Sequence, residues 1–210
     1  MKIEDPRQGQ RAEAGLKIEA RECDNRIEVV VLQHPQEPDK ELGTAALLVR
    51  SLKKSQLKVG LSWRSLEKVL GRPVERSQWG VLYLGGKNAK LKGREVFCVD
   101  KKNLPREELP NLEGIIVLDG TWSQVKALWW RNAWLLKLHR IVLDPKRPSL
   151  YGNLRREPRR ECLSTIESVA LALQGFGEPE AQGEALRANF SDFLKAVIAD
   201  REAAKNQSLT

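Results

Sequence analysis

An aspartate stands at the end of an apolar segment in the stretch GIIVLDGTWSQVKALWW, residues 114–130. The apolar segment and Trp122 would partly desolvate Asp119, and loss of hydration makes a carboxylate a better base. A purely structural interpretation is also open, because Thr121 and Gln124 match a T-x-x-Q capping box at a helix start. That interpretation makes Trp122 part of a helix core face and leaves Asp119 without a role. Asp119 is therefore a candidate general base.

A second capping pattern, Ser164 with Glu167, precedes an apolar helical segment. A helix cap alone explains an S-x-x-E pattern. The start of a helix also presents backbone N–H groups that can hold a carboxylate, so a cap and a ligand site are compatible there.

Polar residues follow four apolar segments in the same way. They occupy positions 33–35, 85–87, 119–121 and 144–146, after segments that end at residues 32, 84, 118 and 143. In open parallel sheets, ligands bind in the crevice at the carboxyl ends of the strands. The sequence therefore predicts that a binding site lies where these four corners meet.

The positive charge is concentrated late in the chain. The protein has a formal net charge of +8 and a pI of about 9.5, which favours a polyanionic partner. Between residues 146 and 160 there is one acid and there are six bases, namely Lys146, Arg147, Arg155, Arg156, Arg159 and Arg160. Such a run is often only a solvated face. Because Tyr151 lies within it and the Ser164 helix follows, we interpret it as a nucleic-acid contact.

The sequence argues against nucleotide hydrolysis at a phosphate-binding loop and against a metal site made of histidines or cysteines. The segment after Leu84 is glycine-rich but lacks the GxxxxGK[ST] pattern of a phosphate-binding loop. His34 and His139 are the only histidines, too few for a histidine-based metal site, and the three cysteines form no CxxC pair. We therefore expect no metal and a reducing compartment.

The elements that position these residues are predicted by apolar patterning. Continuous apolar segments at 29–32, 81–84, 115–118 and 141–143 indicate strands that are buried on both faces, as in parallel sheets. Helical spacing recurs at residues 44–54, 62–70, 121–130, 164–173 and 184–199. This alternation predicts an α/β fold, a mostly parallel sheet flanked by helices.

The chain divides into three parts by composition. Residues 1–26 are a polar arm without sustained periodicity, residues 27–203 form a single domain, and residues 204–210 are expected to be a disordered tail. No apolar stretch approaches the roughly 20 residues that cross a bilayer, and no secretory leader is recognised. We expect a soluble, cytoplasmic protein with no membrane partner.

Three motifs in order resemble the DTW-domain family of tRNA-uridine aminocarboxypropyltransferases. They are His34-Pro35 with Glu37 and Gly43-Thr44, then Asp119 to Trp122, and finally Tyr151 to Arg155 with Pro158 and Leu163 to Glu167. Many members carry a cysteine cluster ahead of the first strand, whereas only Cys23 stands in that region here. This departure also argues against a zinc site.

The resemblance implies a fold related to the knotted SPOUT methyltransferases, with an expected C-terminal trefoil knot. It implies that S-adenosylmethionine donates its 3-amino-3-carboxypropyl group, rather than its methyl group, to N3 of a uridine in tRNA. The modified nucleoside is abbreviated acp3U, and the by-product would be methylthioadenosine. The aminocarboxypropyl branch favours a monomer.

The resemblance also assigns expected roles to individual residues. Asp119 would be the catalytic base, Trp122 would form a wall of the cofactor pocket, and Thr44 would contact the ribose. Backbone after Leu84, Leu118 and Leu143 would hold the adenosine, and the Ser164-Thr165 helix start would hold the amino-acid end of the cofactor. Further expected cofactor contacts are Gly85, Thr121, Tyr151, Leu163 and Glu167, and expected tRNA contacts are Lys126, Arg131, Arg155, Arg156, Arg159 and Arg160.

Three alternatives remain open from the residues. A SPOUT-type RNA methyltransferase would share the fold, the cofactor and the basic surface. Aminocarboxypropyl transfer to ribosomal RNA would use similar corners. A non-catalytic RNA-binding protein would retain Asp119 only as a turn residue.

Overall fold

A computed structural model describes residues 18–37, 41–83, 93–152, 154 and 163–207 of the protein. Its centre is a six-stranded sheet in the order β2-β1-β5-β3-β6-β4, in which only β4 runs antiparallel to its neighbour. The strands are β1 (Glu28–Gln33), β2 (Ser55–Val59), β3 (Trp79–Leu82), β4 (Val96–Val99), β5 (Gly114–Asp119) and β6 (His139–Leu143). The predicted α/β fold with a mostly parallel sheet is confirmed.

Helices cover both faces of the sheet. They are α1 (Ala45–Ser51), α2 (Leu66–Leu70), α3 (Trp122–Arg131), α4 (Thr165–Gly175) and α5 (Glu180–Gln207), with short 3-10 helices at Arg76–Gln78 and Ala133–Lys137. Side chains alternate between the two faces of each strand. Val29 and Val31 of β1 pack with α1, α4 and α5, whereas Val30 and Leu32 pack with α2 and the second 3-10 helix. Burial on both faces explains the continuous apolar segments.

Packing against a tryptophan ring determines which residue can stand at the start of β5. The indole of Trp79, at the start of β3, lies over Gly114, at the start of β5, and a Cβ atom on Gly114 would come within 2.3 Å of the ring. Trp79 is fully buried. Glycine is therefore required at this position by space.

Two strands were not predicted from the sequence, although β4 (VFCV) is itself a continuous apolar segment of four buried residues. β2 is an edge strand with the sequence SQLKV, half-buried over most of its length, so it shows no continuous apolar run. β4 is a short edge strand between charged segments. The helix predicted for residues 44–54 was too long, because α1 ends at Ser51 and the chain turns into β2 at Ser55. The helix predicted for 62–70 begins only at Leu66.

Residues 18–26 of the expected arm and residues 204–207 of the expected tail are described by the structure. Within the expected arm, Cys23 is buried, and the Arg21 guanidinium donates to Asp192 of α5 (2.9 Å). At the other end, α5 continues to Gln207, so residues 204–207 of the expected tail are helical. No helix in the described part of the chain combines the length and apolarity needed to cross a membrane.

Candidate functional site

The site lies at a topological switch point of the sheet. Strand β1 continues into β2 on one side of it, whereas β5 continues into β6, which lies on the other side beyond β3. Ligands in open α/β sheets bind at the carboxyl ends of the strands where the order reverses in this way. Three of the four corners predicted from sequence follow β1, β5 and β6, and the fourth, residues 85–87, lies outside the described residues.

Asp119 ends β5 directly beside the end of β1. Its Cα atom is in register with that of Gln33, and the Gln33 Nε2 donates to Asp119 Oδ2 (2.9 Å). The Thr165 hydroxyl donates to the other carboxylate oxygen, Oδ1. The residue is only 8% exposed. These two hydrogen bonds, one to each carboxylate oxygen, fix the orientation of the side chain.

The turn after Asp119 is set by Gly120. Its φ of 154° and the Cβ of Gln124, 3.0 Å from where a Gly120 Cβ would lie, leave room only for glycine. The Gln124 side chain accepts from the Thr121 N–H (2.6 Å), in the predicted capping arrangement. Its Nε2 reaches Gln36 Oε1 in the loop after β1 (3.3 Å). The capping residues therefore also join the two loops that flank Asp119.

The start of α4 also reaches Asp119, from the face of the sheet that packs against α1 and α5. Ser164 and Glu167 form the predicted capping box, with the Glu167 N–H donating to Ser164 Oγ (3.2 Å). The Ile166 N–H donates to Thr44 Oγ1 (3.3 Å), which ties the start of α4 to the start of α1. Thr44 is thereby buried. Two of the first N–H groups of α4 are thus bound to protein oxygens rather than presented to a ligand.

Glu167 connects the helix cap to the loop that precedes it. Its carboxylate accepts from the Ser149 hydroxyl (2.6 Å) and from the Leu150 N–H (2.8 Å), besides the Ser164 N–H and hydroxyl (3.0 and 2.7 Å). The residue is 2% exposed. Four protein donors thus hold a nearly fully buried carboxylate, so Glu167 fixes the loop before α4 against the helix start.

Tyr151 belongs to the core. The ring packs edge-on against Phe190 of α5, with centroids 4.9 Å apart, and its hydroxyl donates to the Leu42 carbonyl. The residue is 1% exposed. Tyr151 thus holds the loop after β6 against α5, and it positions the site from within the core.

The Glu37 carboxylate, in the loop after β1, has a buried oxygen without a hydrogen-bond partner among the described residues. The N–H of this residue donates to the His34 carbonyl (3.0 Å), which places Glu37 in that loop. The buried oxygen is Oε1. A buried carboxylate oxygen without a partner is costly, and a bound cationic or hydroxyl group would satisfy it.

Helix α3 carries three of the predicted contacts outward from Asp119. Trp122 at its start is 40% exposed, and Lys126 and Arg131 are exposed. Leu128 is the buried residue of this helix, so the interpretation of Trp122 as part of a core face is wrong. An exposed indole three residues after the buried Asp119 can be reached by a planar or cationic ligand.

Other expected contacts are partly buried or cannot be placed. Leu118, Leu143 and Leu163 are half-buried at or beside strand ends and the α4 cap. Leu84, Gly85, Arg155, Arg156, Arg159 and Arg160 lie outside the described residues.

Two residues of the site were missed as functional by sequence reasoning. Gln33 binds Asp119 directly, and the His34 N–H donates to the Asp119 carbonyl (3.0 Å). His34 was given no catalytic role, because two histidines are too few for a histidine-based metal site and no nucleophile motif accompanies them. Its place in the polar corner at residues 33–35 and in the motif His34-Pro35 was the available signal.

Metal ligands do not gather in this region. Within the described ranges, no group of three or more His, Cys, Asp or Glu side chains is arranged to hold a metal ion. Cys23 is buried, and its thiol lies near the carbonyls of Arg21 and Gln182, at 3.9 and 3.8 Å.

Fold and site together define an α/β domain with a buried, oriented carboxylate at the carboxyl end of β5, where the strand order of the sheet reverses. The DTW domain model matches residues 15–198, so the chain belongs to the DTW domain family. No solved structure matches the chain.

Curated relatives carry a name that states an activity. The chain is 33% identical over 146 residues to tRNA-uridine aminocarboxypropyltransferase 2 of Macaca fascicularis, covering 68% of this chain and 45% of the relative. The mouse protein of the same name is 31% identical over the same shares. The Drosophila melanogaster protein of that name is 28% identical over 157 residues, 70% of this chain and 55% of the relative. The chain thus spans about half the length of the curated relatives it matches.

Proposed function

We propose that this protein transfers a 3-amino-3-carboxypropyl group from S-adenosylmethionine to N3 of a uridine in tRNA. The names of the curated relatives support this activity. The structural observation that carries it is Asp119, buried at the switch point and held by Gln33 and Thr165. This geometry suits a base that must meet one particular proton.

Asp119 would take the proton from uracil N3. The base must lie within hydrogen-bond reach of that proton, and its orientation matters as much as its basicity. The Gln33 and Thr165 bonds hold both carboxylate oxygens, yet each oxygen keeps a second lone pair that can accept from an N–H. Loss of the N3 proton to Asp119 would let N3 bond to the γ-carbon of the transferred group, while the bond between that carbon and sulfur would break with its electron pair moving to sulfur.

S-adenosylmethionine would supply the transferred group on a sulfonium that leaves without metal assistance, as methylthioadenosine. Two described features fit this molecule. The unpartnered Oε1 of Glu37 can accept from its ammonium or a ribose hydroxyl, and the half-exposed Trp122 ring can lie against its cationic or planar part. The protein's contribution is then mainly positioning, which aims the γ-carbon rather than the methyl group at N3.

Finer features of the proposal rest on the family resemblance. They are the relation to the SPOUT fold with a C-terminal knot, a monomeric state and a cytoplasmic location. The extended basic run at Arg155, Arg156, Arg159 and Arg160 would add tRNA phosphate contacts to those of Lys126 and Arg131.

Mass spectrometry of nucleosides tests the group transferred and the class of RNA together. Bulk tRNA and ribosomal RNA from cells with and without the gene would be digested and compared. We expect 3-(3-amino-3-carboxypropyl)uridine to disappear from tRNA alone when the gene is deleted, and a plasmid copy to restore it. Loss of a methylated nucleoside instead would assign the protein to methyl transfer. Loss of the modified uridine from ribosomal RNA would show that ribosomal RNA, and not tRNA, is the substrate.

A further inference from the structure

The outer surface of α3 has a composition unlike an ordinary solvated helix face. Trp122, Lys126 and Trp130 recur at i, i+4 and i+8, which places them on one stripe of the helix. All three are exposed, and Trp130 has 77% of its surface open to solvent. Single exposed hydrophobic residues are normal on proteins. Two tryptophans separated by a lysine on one stripe are a pattern that the core of the protein does not explain.

The inner face of the same helix is firmly anchored. Leu128 is fully buried, and the Trp129 ring packs on Tyr83 after β3, with centroids 5.1 Å apart. The Arg140 guanidinium covers the Tyr83 ring at 5.4 Å. Trp130 is therefore held outward by a rigid helix, and stacking against it would cost little ordering.

Charge decides which class of partner fits this stripe. The segment from Gly120 to Leu143 contains four bases, Lys126, Arg131, Lys137 and Arg140, and no acid. Neither Lys126 nor Arg131 forms an ion pair with any residue that the structure describes. Aromatic rings interleaved with unpaired cations bind single-stranded nucleic acids, because every base can stack on a ring and the cations meet the phosphates.

The position of the stripe relates it to the proposed chemistry. Trp122 is three residues beyond Asp119, and Trp130 lies about 12 Å further along the helix axis at 1.5 Å per residue. A strand whose uridine enters the crevice would therefore run outward along α3. We propose that this stripe binds the unpaired nucleotides next to the target uridine, with a base stacked on Trp130 and phosphate held by Lys126. This inference rests on the proposed function, because it takes the occupant to be the tRNA substrate.

Binding of unmodified tRNA from cells lacking the gene tests the stripe. Trp130→Ala should raise the Kd for tRNA about 5- to 150-fold, the range expected for loss of one stacked base. Trp130→Phe keeps a ring and should stay within about threefold of wild type. The matched control is Leu104→Ala, which shortens another exposed side chain (59% exposed) in the segment after β4, where the end of β4 lies beside the start of β6 and so at the end of the sheet away from Asp119. It should leave the Kd unchanged.

Lys126→Ala gives an independent readout. It should reduce the dependence of log Kd on log salt by about 0.7 to 1, as expected for loss of one phosphate contact. The affinity for S-adenosylmethionine should be unchanged in both the Lys126 and the Trp130 variants. Ultraviolet cross-linking of wild-type protein to the same tRNA, followed by peptide mass spectrometry, should identify the peptide that contains Trp130, and this readout requires no variant to fold.

Two results would overturn the inference while the proposed function stood. One is wild-type tRNA affinity in Trp130→Ala together with cross-links confined to other peptides, from a protein that still forms the modified uridine. The other is a dimer of the wild-type protein that Trp130→Ala converts to monomer in sedimentation, with tRNA affinity unchanged, since the stripe would then bind a second copy. If the wild-type protein neither binds nor modifies tRNA, the proposed function itself fails.

Discussion

Replacing Asp119 by Asn should separate the chemical role of this side chain from its structural one. The amide has nearly the same shape, so the Thr165 hydroxyl can still donate to its oxygen. The Gln33 amide must turn over to present its own oxygen to the new NH₂ group. Two hydrogen bonds to a charged acceptor become neutral ones, a loss of about 1 kcal/mol each. Relief from burying a charge offsets part of this loss.

The expected loss of stability is therefore at most about 2 kcal/mol. Loss of a positioned general base should lower the rate of tRNA modification about 10²- to 10⁴-fold, which is about 3 to 5 kcal/mol of transition-state free energy. Single-turnover conversion of unmodified tRNA at saturating S-adenosylmethionine measures the rate. Urea denaturation of the same preparations measures the free energy of unfolding.

Thr165→Val is the matched variant, because it removes one hydrogen bond to Asp119 while keeping the base. It should slow modification about tenfold by loosening the orientation of the carboxylate. The reasoning is refuted if Asp119→Asn modifies tRNA within about tenfold of the wild-type rate. It is equally refuted if the two variants lose activity only in proportion to their loss of stability.

Three further predictions concern the framework of the site. Gly114→Ala should lower the free energy of unfolding by about 1 to 3 kcal/mol, because its Cβ would meet the Trp79 ring at 2.3 Å, and thermal melting would detect this. Glu167→Gln should cost about 2 to 3 kcal/mol, since its NH₂ group would face donors that now bind a buried carboxylate; unchanged urea unfolding would contradict that role. Burial raises the pKa of the Cys98 thiol from 9.0 to about 11, against a smaller opposing effect of Arg106, so the unfolded chain loses this proton at lower pH. The free energy of unfolding should thus fall between about pH 9 and pH 11, and Cys98→Ala should abolish that part of the fall.

Local patterns were sufficient for much of the fold. The strands β1, β5 and β6 are continuous apolar segments because both of their faces are buried, and the starts of α3 and α4 are encoded in capping residues close in sequence. β2 was missed because an edge strand need not be apolar on both faces. Patterns of this kind report local burial and not which strands are neighbours.

The contacts of the candidate site could not be predicted without knowing which strands are neighbours. Asp119 was found as a polar residue after a buried strand, but its contact with Gln33 depends on β1 lying beside β5, and they are 86 residues apart. The Thr165 contact joins residues 46 apart in the chain. Glu167 was predicted as a helix cap, whereas its bonds to Ser149 and Leu150 depend on how a distant loop folds back.

The by-product of the reaction tests the central claim most directly. Purified protein would be incubated with S-adenosylmethionine and with tRNA from cells lacking the gene, and the small molecules would be separated by liquid chromatography and mass spectrometry. We predict tRNA-dependent methylthioadenosine in amounts equal to the modified uridine formed, and at least about a hundredfold slower formation of both with Asp119→Asn. Release of S-adenosylhomocysteine with a methylated tRNA would contradict aminocarboxypropyl transfer.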